Sequence, residues 1–246
     1  MDRLIYTAMT AAKHTLEQQT SVANNMANAG TTGFRAQIDN FRAVPVPGKG
    51  LPTRTQVVDE TLAADFTQGA IKTTGRNLDF AIDGPGWLAV QAADGTEAYT
   101  RAGSLKINPN GILQTQAGKT VIGDNGPITI ANDAPIMIGK DGTVSTLVPG
   151  VSPAVIEIIG RLKLVNPPAD SLKRGDDGLF RTVSKQPAPL DPDVTVASES
   201  LEDSNVNVVE TMVKMISLSR QFDTQMEMLK NAESNAVKAS QILNFN

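Results

Sequence analysis

The C-terminal stretch VNVVETMVKMISLSRQFDTQMEMLKNAESNAVKASQILNFN (206–246) contains neither glycine nor proline. Within it Val208, Met215, Phe222, Leu229, Ala236 and Leu243 recur at every seventh position. That period predicts a helix with a narrow apolar seam of the coiled-coil type, which packs against another helix rather than lying on a globular core. Val209, Met212 and Met226 widen the stripe, and methionine suits adaptable packing. Ser204 and Asn205 offer side-chain oxygens to cap its start. At ~1.5 Å per residue the helix spans roughly 57 Å, too long for one small domain to cover.

The N-terminus carries a matching pattern. Residues 3–28 hold no glycine or proline, and Ile5, Met9, Ala12, Leu16, Gln19, Ala23 and Met26 recur at alternating spacings of four and three. The flanks are Ala, Thr, Asn and Gln, small or amide side chains that permit close helix approach. Asn24, Asn25 and Asn28 gather at the helix end, where asparagine favours local hydrogen bonds, and Gly30 and Gly33 stop the helix. Two helices with narrow seams at the two ends of one chain predict assembly rather than a reaction.

Between the helices the pattern changes. Phe34 to Arg42 reads as a short additional helix, Val44-Pro45-Val46-Pro47-Gly48 breaks it, and Leu51 to Thr74 reads as an extended arm able to reach a neighbouring subunit. From Gly75 to about Ser200, short apolar runs alternate with turns at Asp83-Gly84, Asp94-Gly95, Asn110-Gly111 and Asp141-Gly142. Such pairs are hairpin signals, and their spacing predicts an antiparallel sandwich or barrel. The fold class is therefore α+β: long terminal helices forming a coiled-coil-like domain (1–36 with 201–246), an arm (37–74), and a central, mainly antiparallel β-domain (75–200).

Composition narrows the chemistry. The single histidine, His14, lies on the terminal helix, and cysteine is absent, so no Ser–His or Cys–His nucleophile can form in the β-domain and no thiolate can bind metal. Asp83, Asp94, Asp141 and the Asp176-Asp177 pair all stand beside turn glycines, where backbone geometry explains them. Gly84-x-Gly86 opens onto Trp87 rather than a helix, so it is no dinucleotide loop. A formal net charge of −4 leaves no basic footprint for nucleic acid. No run of 18 apolar residues spans a membrane, and no signal-peptide h-region follows Met1-Asp2-Arg3. No cofactor, metal site or catalytic residue is expected. A β-rich binding module would want exposed aromatic patches, and a carbohydrate-active enzyme a cleft with two carboxylates.

Three runs resemble one family. Ala23-Asn24-Asn25-Met26-Ala27-Asn28-Ala29-Gly30-Thr31-Thr32-Gly33-Phe34-Arg35 resembles the N-terminal signature of bacterial flagellar rod and hook proteins, and Leu201-Glu202-Asp203-Ser204-Asn205-Val206-Asn207-Val208-Val209-Glu210 their C-terminal one. Gly75 to Ile82, Gly86 to Val90 and Tyr99-Thr100-Arg101-Ala102-Gly103 resemble their shared β-domain. The opening Met1 to Met9 and the run Phe41-Arg42-Ala43-Val44-Pro45-Val46 resemble proximal-rod members more than distal-rod or hook members. The resemblance implies a structural subunit of the basal-body rod in the periplasmic space. It would leave the cytoplasm unfolded through the flagellar type III export apparatus, without a cleavable signal, and polymerise with copies of itself and other rod proteins. It implies terminal helices lining the export channel, with the β-domain outside.

Overall fold

The computed structural model describes residues 2–45, 55–130, 135–147 and 156–243. Two long helices bracket the chain, α1 (Asp2–Ala27) and α2 (Val208–Leu243). Helix α1 ends where Asn28 folds back, its backbone N–H donating to the Asn24 and Asn25 carbonyls at 3.1 and 3.2 Å and its Nδ2 to Asn24 O at 2.9 Å. Helix α2 runs 36 residues, roughly 54 Å. Its cap is Asn207, whose Oδ1 accepts the N–H groups of Val209 (3.1 Å) and Glu210 (3.3 Å). The expected cap at Ser204-Asn205 does not form, because Asn205 Nδ2 donates to Thr67 O instead, at 3.1 Å.

The chain divides into two compact units, the first comprising residues 1–28, 36–65 and 206–246. In it α1 packs along α2. Among the described residues the buried positions are Ala8, Ala12, Thr15, Ser21, Val22 and Asn25 on α1 and Leu218, Gln225 and Ala232 on α2. On α2 these form a second seven-residue column, offset by three from Met215, Phe222 and Leu229, which are half-buried. Apart from Leu218 the buried residues are small or amide-bearing, which lets the backbones approach closely, and Thr15 Oγ1 donates to Gln225 Oε1 at 3.1 Å.

Strands β1 (Gln37–Pro45) and β2 (Thr55–Ala64) pair antiparallel, with a bulge between Asn40 and Phe41. A short helix across Phe34 to Arg42 is thus overturned. Along 37–41 burial alternates residue by residue, the strand period rather than the helical one, and β2 supplies the backbone partner that a lone short helix would lack. The strand pair meets α1 through the edge of the His14 ring on Phe41, 5.9 Å between centroids. The last turn of α1 joins it through Asn25: the amide donates to Gln37 O at 2.8 Å and accepts from Gln37 N at 2.7 Å. One side chain thereby satisfies both polar groups of a residue entering a strand.

The second unit comprises residues 29–35 and 66–205 and is antiparallel β-structure. Its first strands are β3 (Ile71–Thr73), β4 (Phe80–Asp83), β5 (Trp87–Gln91) and β6 (Glu97–Thr100). Among the described residues, the largest sheet runs 172–174, 180–182, β6, β5, 120–123, 113–115, 105–107. Strand β4 pairs with 195–198, and β3 with Ser200–Glu202. A three-stranded sheet joins 136–138, 143–147 and 156–161. Trp87, Leu88, Ala89 and Val90 are buried on both faces of β5, as a central strand requires. Phe80, Ile82, Leu105, Leu113, Val121, Leu162 and Leu164 complete the core.

The expected turns form for a local reason. Gly95 takes a positive φ of 81°, Asp94 Oδ1 accepts the Thr96 N–H at 3.0 Å, and the Thr96 hydroxyl donates to the same carboxylate at 2.6 Å. Asp141 and Thr143 repeat the arrangement. These threonine bonds hold both carboxyls below the usual carboxylate range. Asp177 is likewise lowered, first by the Arg181 guanidinium at 2.8 Å.

Tyr99 gives the β-domain a testable pH dependence. Its ring is buried; its hydroxyl donates to Glu97 Oε1 at 3.0 Å and accepts the Ala188 N–H at 2.7 Å. Burial, with the Glu97 carboxylate adding to it, pushes the phenol up to about 12. A group whose folded-state pKa is raised contributes stability that is complete below its unfolded value, about 10, and is lost as pH rises through about 12. Urea unfolding between pH 9 and 12 should show the native chain losing on the order of 2 kcal/mol more than Tyr99→Phe over that window. Equal losses in the two proteins would refute the assignment.

Candidate functional site

In the second unit three segments distant in sequence converge on one ion cluster. Arg35 Nη1 lies 2.5 Å from Glu202 Oε1, and Arg101 Nη1 lies 2.9 Å from Glu202 Oε2. The side chains are 1%, 3% and 0% exposed for Arg35, Arg101 and Glu202. Glu202 Oε1 also accepts the Gly69 N–H at 3.0 Å. Arg101 Nε donates to Gly86 O at 2.9 Å, and its Nη2 donates to Gly84 O. Burial lowers the Arg101 pKa; Glu202 works against that shift and Arg35 with it. A guanidinium starts so high that it stays charged at neutral pH.

The backbone around the cluster is equally constrained. Gly33 adopts φ +67°, and a β-carbon there would meet the Arg101 carbonyl carbon at 2.3 Å, so a side chain is excluded by both conformation and space. The Gly33 N–H donates to Glu202 O at 2.8 Å. Phe34 is buried beneath the Arg174 guanidinium, 4.4 Å from ring centroid to Cζ, and Arg174 Nη1 donates to Arg35 O at 3.1 Å. Burial lowers the Arg174 pKa. The Asn205 N–H reaches Phe34 O at 3.3 Å. Ser204 is half-buried, and in the first unit Val206 is half-buried as well. The runs around Gly33-Phe34 and Ser204-Asn205 are therefore joined in space.

The seam residues separate into two sets. Ala12 is buried, and Ile5, Gln19, Met26, Met215, Phe222, Leu229 and Ala236 are half-buried. Met9, Leu16, Ala23 and Val208 are exposed, because the pair turns Ala8, Thr15 and Val22 inward in place of their neighbours. The Leu243 side chain lies outside the described residues. Asn24 is exposed, with its carbonyl engaged by Asn28. Among the described residues no group of three or more His, Asp or Glu side chains is placed to hold a metal ion. His14 Nδ1 is 2.9 Å from Glu17 Oε2 on the same helix.

Sequence reading isolates the asparagines and Phe34 but not Arg35, Arg101 or Glu202, since a lone charge along a chain reads as solvated. The available signal was that Arg35 follows Gly33-Phe34 and Arg101 precedes Gly103, charges set among residues that demand close packing. Removing the central carboxylate strands two buried cations. Glu202→Ala should cost about 3–5 kcal/mol in urea unfolding of the full chain. A loss below about 1 kcal/mol is the behaviour of a solvated pair and would contradict the burial argument.

Comparison with known proteins places these runs. Residues 5–35 match the family described as flagella basal body rod protein, 81–146 the flagellar hook protein FlgE/F/G D1 domain, and 197–242 the flagellar basal body rod FlgEFG protein C-terminal. Each matched segment contributes one member of the ion cluster. The chain is 47% identical to the flagellar basal-body rod protein FlgF of Escherichia coli (strain K12) and 46% identical to that of Salmonella typhimurium, in both cases over 100% of each chain. The flagellar basal-body rod protein FlgG of Buchnera aphidicola subsp. Schizaphis graminum is 29% identical over 90% of this chain and 92% of its own. Full-length agreement with the former, together with three family segments in order, shows that the chain belongs to the FlgF family of flagellar basal-body rod proteins.

Proposed function

We propose that the chain is a structural subunit of the proximal rod, packing through its terminal helices against copies of itself and other rod proteins. The observation that carries this reading is the apolar surface left outside the α1–α2 pair. Val209, Val213 and Ile216 are 71%, 62% and 56% exposed and follow one another at spacings of four and three on α2. Tyr6, Met9 and Leu16 are exposed on α1. An apolar stripe outside an already formed pair marks an interaction surface. Further helices laid along both stripes would extend the pair into a coiled-coil-like layer, with 1–36 and 201–246 as its assembly region.

In this reading the Met9, Leu16, Ala23 and Val208 positions serve contacts between subunits. The Met215, Phe222, Leu229 and Ala236 column lies at the margin of the pair and is covered on assembly. Arm residues 37–74 and the β-domain make the outer contacts. Family membership supports export from the cytoplasm through the flagellar type III apparatus without a cleavable signal, and a place in the periplasmic part of the basal body. Among the described residues no helix is long and apolar enough to cross a membrane. The reading assigns no residue a catalytic role; Asp94, Asp141 and Asp177 are engaged by Thr96, Thr143 and Arg181.

Placing a charge on the outer stripe separates assembly from folding. Val213→Asp and Ile216→Asp should leave far-UV circular dichroism and urea unfolding of the free subunit within about 0.5 kcal/mol of the native chain, because both sites are exposed. The same variants should give cells that build no rod and do not swim. Leu218→Asp, buried in the pair, should instead destabilise the subunit itself by several kcal/mol. Normal swimming with Val213→Asp would remove the stripe from the argument.

A further inference from the structure

Arg35 is least satisfied where it is most buried. Among the described residues its side chain has one ion-pair contact, from Nη1 to Glu202 Oε1, which falls outside hydrogen-bonding geometry, and its Nε meets no acceptor. Arg101 by contrast commits all three nitrogens, to Gly84 O, Gly86 O and Glu202. A guanidinium presents five N–H donors, and buried donors without acceptors are costly. Two guanidiniums facing one carboxylate also leave an excess of one positive charge. Both arginines line a cleft of 510 Å³ together with Phe66, Gln68, Trp87 and Pro168, and none of its lining residues is acidic.

We propose that this cleft receives a carboxylate, carried by an Asp or Glu side chain of an adjacent rod subunit, which pairs with Arg35 and completes the cluster. The proposal rests on the rod reading for the source of the carboxylate, but not for the existence of the site. Charge selects the ligand class: one carboxylate balances the single excess charge, whereas a phosphate carrying about −1.5 to −2 overshoots it. Geometry agrees, because a planar guanidinium fork matches the two oxygens of a carboxylate. The walls contributed by Trp87, Phe66 and Pro168 hold water away and strengthen the pair. Docking then draws the second unit of one subunit onto its neighbour through a contact independent of the helix stripes.

The test uses the full-length, isotope-labelled chain, with the Arg35 Nε–Hε resonance assigned by through-bond correlation to its own backbone. Sodium acetate should shift that resonance saturably, while sodium chloride at equal ionic strength leaves it in place and phosphate moves it at least tenfold less effectively. Ala169→Trp, which fills the cleft mouth without touching the ion cluster, should abolish the acetate response. In cells the same variant should shrink the swimming halo although the purified chain unfolds as the native one does. Absence of a saturable acetate shift overturns the site and leaves the rod reading standing, since that rests on the helix variants. An equal response to chloride or phosphate overturns the carboxylate class. Normal swimming of a folded Ala169→Trp that has lost the acetate response overturns the neighbouring subunit as the source.

Discussion

A carboxylate shared by two buried guanidiniums organises the β-unit. Glu202 lies near the end of that unit in sequence, Arg35 at the end of the segment that follows α1, and Arg101 between β6 and the strand at 105–107. Each ion is costly to remove from water, and each is tolerable only because the others arrive at the same place. This makes the closure of the unit conditional on all three segments being in register. The surrounding contacts follow from it. Gly33 must be glycine because its backbone runs against that of Arg101, Gly69 brings an N–H to the same carboxylate, and Phe34 is held under Arg174 beside the cluster.

The helical unit is organised on the opposite principle. Apart from Leu218, its internal contact is made of residues such as Ala8, Ala12, Thr15, Val22, Gln225 and Ala232, which bury little apolar area each but let two backbones come close. Met9, Leu16, Val209, Val213 and Ile216 are left outside. A helix pair of this make leaves large apolar side chains against water. That distribution suits a subunit whose final core is formed between molecules. It also separates the roles of the two units: one is closed by a charge cluster, the other is left open by design of its surface.

The elements themselves were largely legible. Uninterrupted helical periodicity marked 3–28 and the C-terminal stretch, and the observed helices begin and end within a few residues of those limits. Asp-Gly and Asn-Gly pairs marked the turns, because glycine at positive φ and an aspartate accepting from the residue two ahead are local requirements. The segment 34–42 misled, since its strand state depends on a partner at 55–64 that local propensity does not see. Which stripe of α1 faces α2 is likewise not a local property. Met9, Leu16 and Ala23 fit the period as well as Ala8, Thr15 and Val22 do, and hydrophobicity alone favours the larger set.

Local sequence carries the two terminal helices, the turn positions, the lack of cysteine and of a histidine in the β-domain, and, through three ordered motifs, the family. These are properties of local conformation and composition, which neighbouring residues settle among themselves. The three-dimensional packing settles which face of α1 turns inward, the pairing of β1 with β2, and the gathering of Arg35, Arg101 and Glu202 into one buried cluster. Each of these depends on contacts between residues far apart along the chain, and the free energy of a charge or an apolar face is fixed only when it is known what lies against it.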